Sequence, residues 1–224
     1  MTETSGSTTI STKLERIAKL AREAPGMAFT TLAHHIDIDW LKEAYRRTRK
    51  DGATGVDGQT AEEYAVNLEG NLEALLERAK SGTYRAPPVR RVHIPKGDGS
   101  QTRPIGIPAF EDKVLQRAVA MVLGAVYEQE FLDCSYGFRP GRNAHQALRR
   151  VAQIITCEQT QFVVDADIKG FFDHVDHDWM MRFIGHRIKD PTFQRIIHRF
   201  LKAGVIRSGG VTSPDSRIDR GAEL

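Results

Sequence analysis

The sequence predicts an α+β fold, rich in helix, with one basic β-hairpin and an incomplete sheet to which a single further strand belongs. Three observations carry that expectation. Apolar residues recur at helical spacing in several segments bounded by capping residues and by Gly or Pro. After Pro87-Pro88 the chain turns extended on either side of Gly97-Asp98-Gly99, and from Phe162 to Ile168 apolar and acidic positions alternate.

Thr12 and Glu15 form a capping box ahead of Leu14, Ile17, Ala18 and Ala21, which predicts a first helix ending at Pro25-Gly26. A second is expected from about Asp39 to Lys50. Thr60 with Glu63 caps a third that carries Leu68, Leu72, Leu75 and Leu76 and stops at Gly82. Val89 to Ile94 and Arg103 to Ile107 are the hairpin strands. Asp112 is expected to open a long helix, and Asn143 another with Ala147, Leu148, Val151 and Ile155 inside. Two more are predicted from Asp178 to Lys189 and, after Asp190-Pro191, to Ala203 with Gly204 as stop. From Arg207 onward periodicity is lost.

The chain has 224 residues and a formal charge of only +3, too small by itself to argue for a polyanionic partner. Its distribution says more. From Arg85 to Arg117 there are seven Lys/Arg against three acids, and from Arg139 to Arg150 four Arg and no acid. No apolar run is long enough for a membrane span and the start resembles no signal peptide, so a cytoplasmic protein without a membrane partner is expected. Cys134 and Cys157 lack a CxxC partner and are expected to be buried apolar fillers.

Four constellations bear on chemistry. Asp165 and Asp167, two apart on the predicted strand, share one face with Cα atoms roughly 6.6 Å apart, an arrangement that suits Mg2+ but equally suits a solvent-facing strand end. Lys96 and Arg103 flank the hairpin turn, where two cations can clamp a polyphosphate or simply face water. Ser135-Tyr136-Gly137-Phe138-Arg139-Pro140-Gly141-Arg142 interleaves aromatics with arginines, as single-stranded nucleic-acid sites do; a buried loop anchor or a helix lead-in is the rival. Asp173 to Asp178 includes His174 and His177, yet helix capping by Asp176 or Asp178 explains it better than zinc.

Together these blocks resemble the reverse transcriptase domain of group II intron-encoded proteins over nearly all of residues 10 to 206. The resemblance rests on Leu41-Lys42-Glu43-Ala44-Tyr45-Arg46-Arg47, Gly55-Val56-Asp57-Gly58, Gly82-Thr83-Tyr84-Arg85, Ile94-Pro95-Lys96, Arg103-Pro104-Ile105-Gly106-Ile107-Pro108, Ser135 to Arg142 and Asp165-Ala166-Asp167-Ile168-Lys169-Gly170-Phe171-Phe172-Asp173. It implies an amino-terminal extension at 1–30, reverse transcriptase fingers at 31–160, a partial palm at 161–206 and a divergent, disordered tail at 207–224. It further implies that Asp167 is a catalytic, metal-binding aspartate with the Ile168 carbonyl beside it, Asp165 being only a neighbour. Lys96 and Arg103 would hold the incoming triphosphate, Phe172 would exclude a ribose 2′-hydroxyl, and Tyr136, Phe138, Arg139 and Arg142 would contact template.

The implied activity is RNA-directed DNA synthesis on intron RNA, with help in splicing. Its cofactor would be Mg2+, and its partners group II intron RNA, a DNA primer or target and deoxynucleoside triphosphates. The family pattern continues with a Tyr-Ala-Asp-Asp hairpin that this sequence does not contain. A truncated chain, inactive alone and prone to self-association through the unpaired palm strand, is therefore expected, with a non-catalytic intron-RNA-binding fragment as the alternative.

Overall fold

The computed structural model describes residues 4–95, 97, 99, 102–158, 160–207 and 210–212. Helix α1 (Thr4–Glu23) begins well before the expected Thr12 capping box. Ile10, Ile17 and Ala21 are all buried against the same core, and that burial carries the helix through a Ser/Thr-rich start of poor propensity. Helix α2 (Ile38–Arg47) is capped by Asp37, whose carboxylate accepts from the Trp40 amide at 2.9 Å and pairs with Lys13 at 2.5 Å. The predicted third helix divides into α3 (Ala61–Ala65), with the Thr60/Glu63 capping box formed as expected, and α4 (Leu68–Ser81). Gly82 ends α4 at φ +78°, a conformation other residues adopt only at a cost.

Strands β1 (Val89–Pro95) and β2 (Thr102–Ile107) form the hairpin, antiparallel, with Ile94 opposite Arg103. Helix α5 (Phe110–Tyr127) is the central element, packed on α1 and α2. Its Val114, Leu115, Ala118 and Val122 are fully buried, and the Ala118 carbonyl accepts from the indole of Trp40 at 3.0 Å. Gly55 lies where β2 runs into α5: a Cβ there would sit 2.5 Å from the backbone of Ala109, so only glycine fits.

Helix α6 (Ala144–Cys157) has the Asn143/Gln146 capping box at its start. A 3-10 turn (Phe171–His174) precedes α7 (His177–Arg187), capped by Asp176 through the Trp179 amide at 2.9 Å. Helix α8 (Pro191–Leu201) has Asp190 as cap and Pro191 in its first turn, as predicted. Two short strands follow, β3 (Val205–Arg207) and β4 (Gly210–Thr212). Because β3 pairs parallel with β1, the sheet order is β2-β1-β3-β4.

Several expectations are corrected. Residues 161–168 form no strand: Phe162 (84% exposed), Val164 (88%) and Ile168 (68%) stand in solvent with no ladder partner among the described residues. A strand needs a neighbour, and alternation alone supplies none. Leu148, Val151 and Ile155 are exposed rather than inside, since no described residue covers that face of α6. Both cysteines are free and exposed. Strand β4 falls in the segment from Arg207 on, where order was expected to fade, because β3 pairs with a second edge of β1 that no local pattern announces, and β4 pairs with β3. Asp112 does not open its helix; it lies buried in the first turn and accepts a hydrogen bond from the Tyr84 hydroxyl.

Burial pushes the Asp112 carboxyl up to about 6, the Tyr84 hydrogen bond opposing it only in part. A carboxyl whose folded value is raised contributes stability below its unfolded value near 3.8 and loses it as pH climbs to about 6. Asp112→Asn keeps an acceptor for Tyr84 without the charge. Urea unfolding at pH 7.5 should find the variant more stable by roughly 3 kcal/mol, with the difference gone at pH 4. A difference independent of pH would refute the assignment.

Candidate nucleic-acid interface

Three surfaces carry the residues singled out in the sequence. On the hairpin, Arg103 is exposed and shares a face with Ile94 and Ile105, themselves roughly half exposed. Lys96 lies outside the described residues. Two other cations of this basic stretch are not available to a ligand. Both Nε and Nη2 of Arg90 donate to the Thr54 carbonyl, at 3.0 and 2.6 Å, and the Lys113 ammonium donates to that of Ala53 at 2.6 Å. They hold the loop before Gly55 against the root of the hairpin.

The second surface is the loop after α5. Phe138 is fully exposed at φ +57°, in the left-handed region that a bulky residue rarely occupies. Its neighbour Arg139 has the opposite character. The guanidinium makes two bonds to Glu128 Oε1, at 2.9 and 2.8 Å, and two more to the carbonyls of Leu132 and Ser135 at 2.8 and 2.9 Å. The side chain is 7% exposed and lies over the Phe131 ring. Arg139 is thus the clamp that folds the loop onto the end of α5 and presents Phe138. Arg142 reaches Asp133 at 3.2 Å and stands 5.6 Å over the ring of Tyr136, leaving both half-buried but accessible. Glu128, eleven positions before Arg139, carried no local signal of this role.

The third surface is the exposed segment holding Asp165, Asp167 and Ile168, followed by a half-exposed Phe171. The Phe172 side chain lies outside the description. His174 Nδ1 is 2.7 Å from the Gly170 carbonyl, bracing the turn after this segment. The donors suit a hard cation, as two carboxylates and a carbonyl should. Among the described residues, however, no group of three or more His, Cys, Asp or Glu is placed to hold a metal ion, so these residues alone do not make a complete donor set. Nor is any described helix long and apolar enough to cross a membrane.

The exposed aromatic loop, strand β2 with Arg103 and the acidic segment lie within one matched stretch: the family model for reverse transcriptase (RNA-dependent DNA polymerase) matches residues 94–218. The chain belongs to the reverse transcriptase family. Reverse transcriptases as a family use divalent metal ions and act on nucleic acid. The group II intron-encoded protein LtrA of Lactococcus lactis is 35% identical to it over 90% of this chain, the match covering 35% of LtrA. Protein YkfC of Escherichia coli (strain K12) is 34% identical over 96% of this chain and 58% of its own length. Nuclear intron maturase 1 of Arabidopsis thaliana, a mitochondrial protein, is 32% identical over 42% of this chain and 13% of its own. This reverse transcriptase chain therefore spans between about a third and somewhat over half of LtrA and YkfC.

Proposed function

We propose that this reverse transcriptase copies group II intron RNA into DNA and assists the splicing of that intron. The match of residues 94–218 to the family carries the reading, because that stretch includes Arg103, the Tyr136 to Arg142 loop and Asp167 together. In this proposal 1–30 is the amino-terminal extension, 31–160 the fingers, 161–206 part of the palm and 207–224 a divergent tail. Asp167 and the Ile168 carbonyl contribute to a Mg2+ site. Lys96 and Arg103 face the triphosphate, Phe172 the sugar, and Tyr136, Phe138 and Arg142 the template, with Arg139 holding their loop. The partners are intron RNA, a DNA primer or target and deoxynucleoside triphosphates, in the cytoplasm.

A second reading, RNA binding without turnover, draws on one observation: the segment carrying Asp167 is exposed and unpaired. Primer extension on an RNA template separates the two. Extension that requires Mg2+ and disappears in Asp167→Asn supports polymerisation; salt-dependent binding without extension supports the second reading. Both readings need Phe138. A stacked base is worth about 1–3 kcal/mol, so Phe138→Ala should weaken binding to intron RNA roughly tenfold in a filter assay. Thermal stability should not fall, because the ring is fully exposed. Undiminished RNA affinity in Phe138→Ala would remove the loop from the interface.

A further inference from the structure

Several of the described arginines are paired with a carboxylate: Arg46 and Arg47 with Glu43, Arg78 with Glu111, Arg139 with Glu128, Arg187 with Glu130. The α7–α8 face is different. An open groove of about 630 Å3 runs between the two helices, lined by Met181, Arg182, Gln194, Arg195 and His198, with Asp178 its one acid. Among the described residues, Arg182, Arg195 and the adjacent Arg199 form no ion pair. The Arg195 guanidinium lies against Gly82, its Nε buried without a hydrogen-bond partner and one Nη only 3.4 Å from the Thr192 hydroxyl. Arg199, one turn on, donates to the carbonyls of Tyr84 and Gly82. Burial, then the charges of Arg85 and Arg195, depress its tendency to hold a proton, as expected where guanidinium groups crowd together.

Beside this groove stands an exposed aromatic pair. The rings of Trp179 and Phe183 are 5.8 Å apart at 31°, and the Arg182 guanidinium rests 4.8 Å over Trp179. More than half of each of these residues is exposed. Arg85, Arg195 and Arg199 crowd one another at one side of the groove, where like charges repel and a bound polyanion relieves that repulsion. The groove is open to solvent rather than closed around a small molecule, and its Arg182 carries the neighbouring Trp179 ring. Cations tracking a groove beside stacking rings are the physical requirements for a single strand of nucleic acid.

We propose that the α7–α8 groove is a second nucleic-acid contact, in which Arg182 and Arg195 hold phosphates of a single-stranded RNA segment and Trp179 lies beside one of its bases. This rests on the RNA-binding reading above but concerns a different surface from the hairpin and the 135–142 loop. Arg199 is a positioning residue here, because its hydrogen bonds fix the 82–84 turn on which Arg195 packs.

The test uses the full chain and a mixed-sequence RNA of about 20 nucleotides, comparing wild type with the double variant Arg182→Gln, Arg195→Gln at several salt concentrations. Affinity should fall about tenfold, and the slope of log K against log salt should shrink by about 1.4, two phosphate contacts at ~0.7 each. Arg182→Lys with Arg195→Lys should retain most of the affinity, since the charges remain. A local signal guards against a general charge effect. Trp40 is fully buried, so RNA should change the emission of Trp179 alone, and Arg182→Gln should diminish that change without touching the groove floor. Unchanged affinity and slope in the double variant, or unchanged Trp179 emission at saturating RNA, overturns the proposal. Inorganic phosphate that binds wild type without competing with RNA overturns it too. A wild-type chain that binds no RNA brings down the functional reading along with this one, whereas binding that the groove variants do not alter brings down this one alone.

Discussion

Replacing Arg187 with Met should lower stability by about 3–5 kcal/mol, the loss seen when a buried charge pair is broken from one side. Arg187 is the last residue of α7 and is 3% exposed. Its Nη1 donates to the carbonyls of Ala24, Pro25 and Met27, its Nη2 to that of Ala21 at 3.1 Å, and its Nε faces Glu130. One guanidinium therefore donates to four carbonyls at and just past the end of α1 and ties them to α7, some 160 residues away in sequence. Beside it the backbone of Phe29 exchanges hydrogen bonds with Arg187 and Lys189, both 2.7 Å, which extends the same seam. Methionine fills the volume and supplies no donor. For a chain of this size the cost corresponds to a fall in Tm of roughly 10 °C. Calorimetry checks it, and a drop under about 2 °C would mean that water replaces the guanidinium at little cost.

Asp190→Ala should cost a similar amount, about 3–5 kcal/mol, through four amides rather than four carbonyls. Oδ1 accepts from the Thr192 and Phe193 amides at 2.9 and 3.0 Å, the ordinary cap of α8. Oδ2 accepts from Leu32 and Ala33 at 2.6 and 2.7 Å, capping a loop at the other end of the chain. Burial pushes this carboxyl up, yet the four amide bonds together hold it below the usual value. A depressed carboxyl contributes stability above its unfolded value, lost as pH falls below about 4, so the gap between wild type and Asp190→Ala should narrow in acid. Asp190→Asn, which keeps one acceptor oxygen, should fall between the two in a urea titration. If Asn and Ala variants unfold at the same denaturant concentration, the second pair of bonds contributes nothing.

These two residues mark how far the sequence could be read. Asp190 as a cap is legible from its place before Pro191, because capping acts within four residues; its grip on Leu32 and Ala33 is not, because no local rule joins positions 158 apart. Arg139 shows the same limit in the interface. Its place among aromatics and glycines suggests a ligand contact, whereas Glu128 and two carbonyls take up its donors and leave Phe138 as the exposed member. The hairpin was legible, since its turn, prolines and strand pattern are contiguous. The third strand beside β1 was not, and the alternation at 162–168, convincing as a pattern, had no neighbour to make it a strand.

What the amino-acid order determined by itself is the approximate place of the helices, the Thr60, Asn143 and Asp190 caps, the Gly82 stop, the hairpin and the blocks that place the chain among the reverse transcriptases, all fixed by interactions within a few residues or by motif order. The tertiary structure decided which charges remain free. Arg90, Lys113, Arg139 and Arg187 are drawn to carbonyls and carboxylates brought near by folding, while Arg182 and Arg195 are left unpaired along a groove. A charge's availability depends on its neighbours in space, and those exist only once the chain has folded.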